Sequence, residues 1–136
     1  MFIYKTSLKP SPIHGLGVFA WKGIRKGSVV YQHRPELDQI FSANEFANLD
    51  RRDQALILHY GGLDKRLNRY RLPYDNLRFL NHSDTPNLVY VVATDQIVAL
   101  RAIAAGEELT QNYRDFEDGV EFRIAKSVKN PNEEKQ

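Results

Sequence analysis

The stretch Arg78-Phe79-Leu80-Asn81-His82-Ser83-Asp84-Thr85-Pro86-Asn87 decides how this chain of 136 residues is organised. We call it the polar block. Its asparagine, serine, aspartate and proline residues favour turns, because they bond to or restrict the nearby backbone, so the block cannot be a plain helix or strand. A second stretch, Gly106-Glu107-Glu108-Leu109-Thr110-Gln111-Asn112-Tyr113, starts as a turn and continues as a short β-prone run that ends in a tyrosine. We call this second stretch the tyrosine block.

Two apolar runs lie between these blocks. The runs Leu88–Ala93 and Ile97–Leu100 are β-prone and are separated by a few polar residues, which predicts a β-hairpin. A hairpin brings the chain back to where it left, so it would place the polar block beside the tyrosine block.

The composition is that of one soluble globular domain. Of the 136 residues, 42% are hydrophobic and 26% are charged, and the net charge of +2 gives no argument for nucleic acid as a direct ligand. The chain has no cysteine, which excludes disulfides and thiol chemistry, and its four widely spaced histidines argue against a metal site. No apolar run is long enough to span a membrane and the start lacks a signal-peptide core, so we expect a cytoplasmic protein.

The N-terminal part predicts short strands around a glycine turn. Phe2–Leu8 and Ser28–Tyr31 are strand-like, and Gly15-Leu16-Gly17 precedes the apolar run Val18–Ala20. Two glycines one residue apart let the backbone approach a ligand closely, but taken alone they indicate only a turn between strands.

The hydrophobic period becomes helical from the capping box Ser42-Ala43-Asn44-Glu45 onward. The polar run Asp50–Asp53 divides the segment 42–60 into two short helices, and Gly61-Gly62 ends the second helix. The sequence therefore predicts a small helical unit between the strands.

The segment Leu63–Arg71 is rich in basic residues, and a solvated face is the first interpretation of it. A nucleic-acid-binding patch is a distant alternative. It would consist of Lys65, Arg66, Arg69 and Arg71. The following run Tyr70–Tyr74 predicts a strand that leads into the polar block.

Three blocks together resemble the SET-domain protein methyltransferases, which transfer a methyl group from S-adenosyl-L-methionine to a lysine side chain. They are His14-Gly15-Leu16-Gly17-Val18-Phe19-Ala20, the polar block and the tyrosine block, in the family's order, within residues 8–116. The resemblance implies a mainly β fold of several short curved sheets, with a helical insert at 42–60 and a knot-like crossing of the two later blocks. Residues 1–123 would form this domain, and the polar residues 124–136 would be a disordered tail.

The resemblance also implies roles for single residues. Tyr113 would be the catalytic tyrosine beside the methyl-transfer path, and Tyr90, also assigned a catalytic role, would line the lysine channel. The cofactor-binding residues would be Gly15, Leu16, Gly17, Arg78, Asn81, His82, Tyr113 and Phe116. Alternatives remain, since Arg78 could brace its loop, His82 could brace a turn, and Tyr113 could be a packed strand residue.

These residue types suit the reaction, which is an in-line displacement at a methyl carbon bonded to a positive sulfur. Much of the rate can come from positioning the two reactants. The lysine, whose free pKa is about 10.4, must be neutral, and an apolar channel and a nearby sulfonium both favour that form. No carboxylate base is required, so we interpret Glu107 and Glu108 as turn residues that bind the surrounding backbone.

The chain departs from the family pattern at three points. Asn112 stands where many members have aspartate. His33 stands near where many have a strand tyrosine that faces the lysine, and Tyr31 lies two residues earlier. The cysteine-rich segment of many members is missing, which makes Phe116 and Phe122 candidates to close the cofactor side. The departures at His33 and Asn112 support a second hypothesis, a catalytically silent SET-like module that binds a peptide or protein partner.

For the enzyme, the substrate would be a protein or peptide that presents a lysine, histone-like or other. Neither the identity of that protein nor the number of methyl groups follows from the sequence. So small a catalytic core could use a second copy to complete its channel, so a homodimer stays open.

Overall fold

The structure is a computed structural model, and it describes residues 1–64 and 67–115. The strands of the described part are β1 Thr6–Pro10, β2 Leu16–Ala20, β3 Val29–Gln32, β4 Gln39–Ser42, β5 Gly62–Asp64, β6 Arg69–Leu72, β7 Asn81–His82, β8 Leu88–Val91, β9 Gln96–Ala99 and β10 Thr110–Gln111. The helices there are α1 Ala43–Ala47 and α2 Arg51–Tyr60, with 3-10 turns at Asn76–Phe79, Val92–Thr94 and Tyr113–Asp115. Neither α1 nor α2 has the length and apolar character needed to cross a membrane. The prediction of a mainly β fold with two short helices is confirmed.

The strands of the described residues form four small sheets. β1 pairs with β2, β9 lies between β3 and β8, β6 lies between β4 and β5, and β7 pairs with β10. The predicted hairpin is β8 with β9, in which Leu88 pairs with Ala99. β8 ends earlier than predicted, because a 3-10 turn follows it and Asp95 reverses the chain with a φ of 55°.

The β7–β10 pair joins the polar block to the tyrosine block. The two strands are parallel, with Thr110 beside Asn81. Asn87, which is 1% exposed, adds further bonds, and two of them are short. Its Nδ2 donates to the Glu108 carbonyl over 2.8 Å, and its Oδ1 accepts from the Thr110 N–H over 2.8 Å. The predicted side-by-side arrangement of the blocks is confirmed, and the knot-like crossing stays a prediction.

The helical insert begins and divides where the sequence predicts. Ser42 caps α1 in a capping box with Glu45, and the side chain of Asp50 caps α2. α2 ends at a glycine, but not through a left-handed cap, since the φ of Gly61 is −139°. A Cβ at Gly61 would collide with the backbone carbonyl of Arg71, so the glycine lets α2 end directly against β6.

The insert also contains a sheet of which the sequence predicted only the middle strand. The strand expected at Tyr70–Tyr74 is β6, and β4 and β5 pair on either side of it. Phe46 of α1 stacks on Tyr70 of β6, with ring centroids 3.7 Å apart. The insert is therefore a helix pair combined with a three-stranded sheet.

The hydrophobic core lies among β2, the β3–β9–β8 sheet and the segment that enters the polar block. Its most deeply buried members include Val18, Val30, Tyr31, Leu80, Leu88, Ile97 and Leu109. Leu80 directly precedes β7 and Leu109 directly precedes β10, so packing in the core holds both blocks in place.

The predicted tail at 124–136 lies outside the described residues, as do Phe116, Phe122, Lys65 and Arg66. The domain boundary at 123 therefore stays a prediction.

Candidate active site

Asn81 connects the polar block to residues 11–17, which we call the glycine loop. Its Nδ2 lies 3.1 Å from the carbonyl oxygens of His14 and Leu16 and 2.9 Å from Oε2 of Glu108. The amide shares its two hydrogens among these three acceptors, and Asn81 is 7% exposed. Two of the predicted cofactor-binding regions therefore meet in the structure.

The glycine loop is open to its surroundings at Gly15. Gly15 has a φ of +48°, in the left-handed region that favours glycine, and within residues 1–64 and 67–115 no atom other than those of its chain neighbours lies within 4 Å of the position of its missing Cβ. The side chain of Leu16 is exposed. Gly17 is the opposite case, because a Cβ there would collide with the carboxylate of Glu108. The loop thus has an exposed apolar side chain at Leu16, while the carbonyls of His14 and Leu16 are occupied by Asn81.

Tyr113 is held by the polar block at its backbone and at its hydroxyl. Its N–H donates to Nδ1 of His82 over 3.2 Å, and its hydroxyl donates to the carbonyl of Leu80 over 2.7 Å. Because His82 accepts at Nδ1, its Nε2 carries the hydrogen that is donated to Asp84 over 2.9 Å. Tyr113 lies in a 3-10 turn and not in a strand.

A pocket of about 510 Å³, part of it open to solvent, lies between the core sheet and the insert. Its lining residues are His33, Tyr60, Gly61, Gly62, Leu63, Asp64, Arg71, Pro73, Leu77, Leu80, Tyr90 and Gln111. Leu80 lines this pocket, and the next residue, Asn81, contacts the glycine loop. The segment Leu80–His82 thus separates the pocket from the loop, with the Tyr113 hydroxyl bonded to its first residue.

One wall of the pocket is a network of buried charges around Arg71. Its Nη1 lies 2.8 Å from Nδ1 of His33, and its Nη2 lies 2.6 Å from Oδ2 of Asp64 and 3.7 Å from Oδ2 of Asp95. Tyr90 donates its hydroxyl to Oδ1 of Asp95 over 2.6 Å. The predicted channel residue Tyr90 therefore lines the pocket with its hydroxyl directed at a carboxylate.

His33 is neutral in this network. Burial and then the adjacent Arg71 guanidinium lower the pKa of His33 to about 4, against the opposing charges of Asp95 and Asp64. The neutral ring accepts from Arg71 at Nδ1, so its hydrogen is on Nε2. His33 is thus a neutral imidazole held by an arginine of the insert.

Arg78 contacts the insert. Its Nη2 donates to the carbonyl of Pro73 over 2.6 Å, and its guanidinium carbon lies 5.9 Å from the centre of the Tyr60 ring. These contacts fit the bracing alternative for Arg78, and a contact with a cofactor stays a prediction.

The interpretation of the basic segment as a solvated face is wrong for Arg71. This residue is 7% exposed and its guanidinium is paired inside the pocket wall, because the β4–β6–β5 sheet turns that side chain toward Asp64. A nucleic-acid patch therefore cannot include Arg71.

Sequence reasoning missed the charged network, namely Asp64, Arg71 and Asp95, and it missed Ser11 on the loop side. No local motif marks them, because most of their partners are far away along the chain; His33 and Arg71 are 38 residues apart. Of the two glutamates interpreted as backbone-binding turn residues, Glu107 accepts from the Ala104 N–H over 3.0 Å, whereas the carboxylate of Glu108 accepts from the side chains of Ser11 and Asn81.

The architecture and the three sequence blocks together define the family to which the protein belongs. A model of the SET domain matches residues 15–114, and the chain belongs to this family. The chain is 30% identical over 122 residues to histone-lysine N-methyltransferase MEDEA of Arabidopsis thaliana, covering 82% of this chain and 18% of that protein. It is 32% identical over 128 residues to histone-lysine N-methyltransferase 2D of Homo sapiens, covering 82% of this chain and 2% of that protein. The chain thus spans a small part of these curated relatives.

Solved structures agree with the family. A chain of an active polycomb repressive complex 2 in the basal state matches with a TM-score of 0.61 and 25% identity, over 85% of this chain and 16% of that chain. A Plasmodium falciparum protein described as a histone methyltransferase matches with a TM-score of 0.57 and 23% identity, over 81% of this chain and 93% of that chain. The second match shows a shared fold.

Proposed function

We propose that this domain transfers a methyl group from S-adenosyl-L-methionine to a lysine side chain of a protein. The observation that carries the proposal is the position of Leu80–His82, which contacts the glycine loop on one side, lines the pocket on the other and holds Tyr113. The two curated relatives, both histone-lysine N-methyltransferases, match over most of this chain.

The glycine loop and the polar block would hold the cofactor, which supplies the electrophilic methyl group when bound. Gly15, Leu16 and Gly17 would contact it through backbone, and Asn81 and His82 would hold its two ends. The open space at Gly15 and the exposed Leu16 fit a molecule that carries a charged amino-acid end and an adenine end. Phe116, which lies outside the described residues, would be a further cofactor-binding residue.

The pocket would hold the lysine. Leu77 and Leu80 give it apolar walls that disfavour the ammonium form, and burial of the amine excludes competing water. The Tyr113 hydroxyl and the Leu80 carbonyl would orient the reacting groups in line, through a hydrogen bond and weak C–H···O contacts. Tyr90 would line the channel.

The substrate would be a lysine-bearing protein, histone-like or other, because the matched relatives are histone-lysine methyltransferases. A cytoplasmic location and a homodimer also stay predictions. Cell fractionation and analytical ultracentrifugation would test them.

Calorimetric titration with S-adenosyl-L-methionine tests the proposal first, with wild type beside Asn81→Ala and with the exposed Asn44→Ala as the control. We expect saturable binding that Asn81→Ala abolishes and Asn44→Ala leaves unchanged. In a lysine-transfer assay, Tyr113→Phe should then lower kcat by about 100-fold. The absence of cofactor binding in wild type, together with an unchanged rate for Tyr113→Phe, would reject the proposal.

A silent peptide-binding module is the second candidate, and the Arg71-held imidazole in the pocket wall favours it, because His33 stands near where many family members have a tyrosine. Cofactor binding without transfer to any member of a broad lysine-peptide panel would support this candidate. Turnover of any peptide would remove it.

A further inference from the structure

The carboxylate of Glu108 lies beneath the glycine loop, and the proposed reaction gives it no role. Ser11 Oγ lies 2.8 Å from Oε1 and 2.9 Å from Oε2 of Glu108, so its hydroxyl donates to the carboxylate. The same Ser11 oxygen accepts from the Ile13 N–H over 2.9 Å. Asn81 donates to Oε2 of Glu108 over 2.9 Å. One carboxylate therefore connects the start of the loop to the polar block.

The backbone around Glu108 keeps this carboxylate in place. Glu108 bridges Phe19 of β2, and the Leu109 N–H donates to the Val18 carbonyl over 2.8 Å. Gly17 lies so close that a Cβ would overlap the carboxylate. The glycine at this position thus makes room for Glu108 as well as for a ligand.

The carboxylate also selects one orientation of the Asn81 amide. A carboxylate only accepts hydrogen bonds, so it requires Nδ2 on the side of the loop, where the His14 and Leu16 carbonyls accept as well. The Oδ1 atom then points away from the loop carbonyls. A neutral side chain at position 108 would not impose this orientation as strongly, because hydrogen bonds to charged groups are the stronger ones.

We propose that Glu108 is a positioning residue that sets the shape of the glycine loop and the orientation of the Asn81 amide for cofactor binding. The inference rests on the proposed function, since it concerns the same cofactor site. Glu108 acts through Ser11, Gly17 and Asn81 and touches no reacting atom.

Calorimetric titration of the full chain with S-adenosyl-L-methionine tests the positioning role of Glu108. The proteins compared are wild type, Glu108→Gln and Glu107→Gln. The neighbouring Glu107 is the matched control, because its side chain bonds to Arg101, Asn87 and the Ala104 N–H instead of the loop. We expect Glu108→Gln to raise the Kd about tenfold, as for one lost charge-assisted bond, and Glu107→Gln to leave it unchanged. In the transfer assay the KM for the cofactor should rise while kcat at saturation stays near wild type. A general loss of structure would lower both kcat and the Tm.

Two further variants keep the test decisive if Glu108→Gln folds poorly. Ser11→Ala removes one donor and should weaken binding in the same direction by a smaller factor. Gly17→Ala should weaken binding strongly in wild type and less in a Glu108→Ala background, because the colliding carboxylate is then gone. Equal effects of Gly17→Ala in the two backgrounds would contradict the inference.

Failure of the Glu108 inference and failure of the proposed function give different experimental results. If wild type binds the cofactor and both glutamate variants bind it equally well, the positioning role of Glu108 is wrong and the proposed function stands. If wild type binds no cofactor, the proposed function fails, and this inference fails with it.

Discussion

The glycine-loop side and the insert side of the candidate site are held together by different forces. On the loop side, Asn81 bonds to backbone carbonyls and a single carboxylate, Glu108, lies beneath. On the insert side, the guanidinium of Arg71 lies within ion-pair distance of Asp38, Asp64 and Asp95. The loop side is made of short motifs close in sequence to the family pattern, whereas the insert side depends on charges brought together from separate segments.

This difference has an energetic consequence. A buried ion pair contributes little net stability relative to apolar residues, but removal of one partner leaves an uncompensated charge and is costly. The insert side is therefore expected to be sensitive to single substitutions at Arg71, while the loop side is expected to respond mainly in ligand binding. The following predictions test that contrast, from the largest expected effect to the smallest.

Arg71→Met should lower the free energy of unfolding by about 3–5 kcal/mol, because three aspartates lose their shared cation. Urea unfolding at pH 7 measures the change. Arg69→Met in the same strand is the control and should cost less than about 1 kcal/mol, since Arg69 is only partly buried. Equal costs for both variants would mean that charge does not organise the insert side.

Gly61→Ala should lower the free energy of unfolding by about 2–3 kcal/mol, because its Cβ would overlap the backbone of β6, which cannot move as a flexible side chain can. Gly23→Ala is the matched control, with its nearest neighbour, the Ile103 carbonyl, at an ordinary 3.6 Å. Thermal unfolding of both variants measures the difference. A neutral Gly61→Ala would show that the close approach of α2 to β6 is not required.

Acid should weaken the protein through His33. Its pKa is about 4 in the folded protein and about 6.5 when unfolded, so the unfolded chain takes up the proton first. The contribution of neutral His33 to the free energy of unfolding is intact above pH ~6.5 and is lost as the pH falls toward 4. At pH ~4.5 the loss is about 2 kcal/mol. Urea unfolding above pH ~6.5 and at pH ~4.5 should show a smaller loss of stability in His33→Gln than in wild type. The exposed His59→Gln should lose as much as wild type, and an identical loss in all three proteins would contradict the prediction.

Tyr90→Phe should have the smallest effect of the four substitutions, and that effect should be on substrate binding alone. The variant loses the hydroxyl donated to Asp95, and we expect the KM for a lysine peptide to change by about fivefold while the cofactor Kd stays the same. Steady-state kinetics and calorimetry together measure both quantities, with the exposed Tyr74→Phe as the control. A changed cofactor Kd would show that the two sides of the site are not separable.

The accuracy of the sequence interpretation follows the same division. The capping box at Ser42, the hairpin of β8 and β9, and the pairing of the polar block with the tyrosine block were predictable, because each depends on neighbouring residues or on a short return of the chain. The burial of Arg71 was not predictable, because basic residues on a polar segment usually face solvent. Its paired state depends on Asp38 and Asp95, which are far from it along the chain, and on Asp64, which the pairing of β5 with β6 brings close.

Glu108 shows that the sequence does not reveal every contact of a residue, even within a recognised motif. The sequence marks it as a residue of the tyrosine block, but its partner Ser11 lies 97 residues away, and only folding brings the two together. The sequence likewise explained the glycine at position 17 only in part. It indicated a close approach of the backbone to a ligand, but not the nearby carboxylate of Glu108.

By itself, the sequence determined the short elements and the family, since turn chemistry, helix caps and alternating apolar residues act over a few neighbouring positions. The family resemblance also singled out Asn81, whose side chain contacts the glycine loop in the structure. Tertiary structure alone decided the ionisation of His33, the burial of Arg71 and the contact of Glu108 with Ser11. Those properties arise from distances and desolvation between residues that are remote in sequence, and electrostatic interactions depend on distance in space and not on position along the chain.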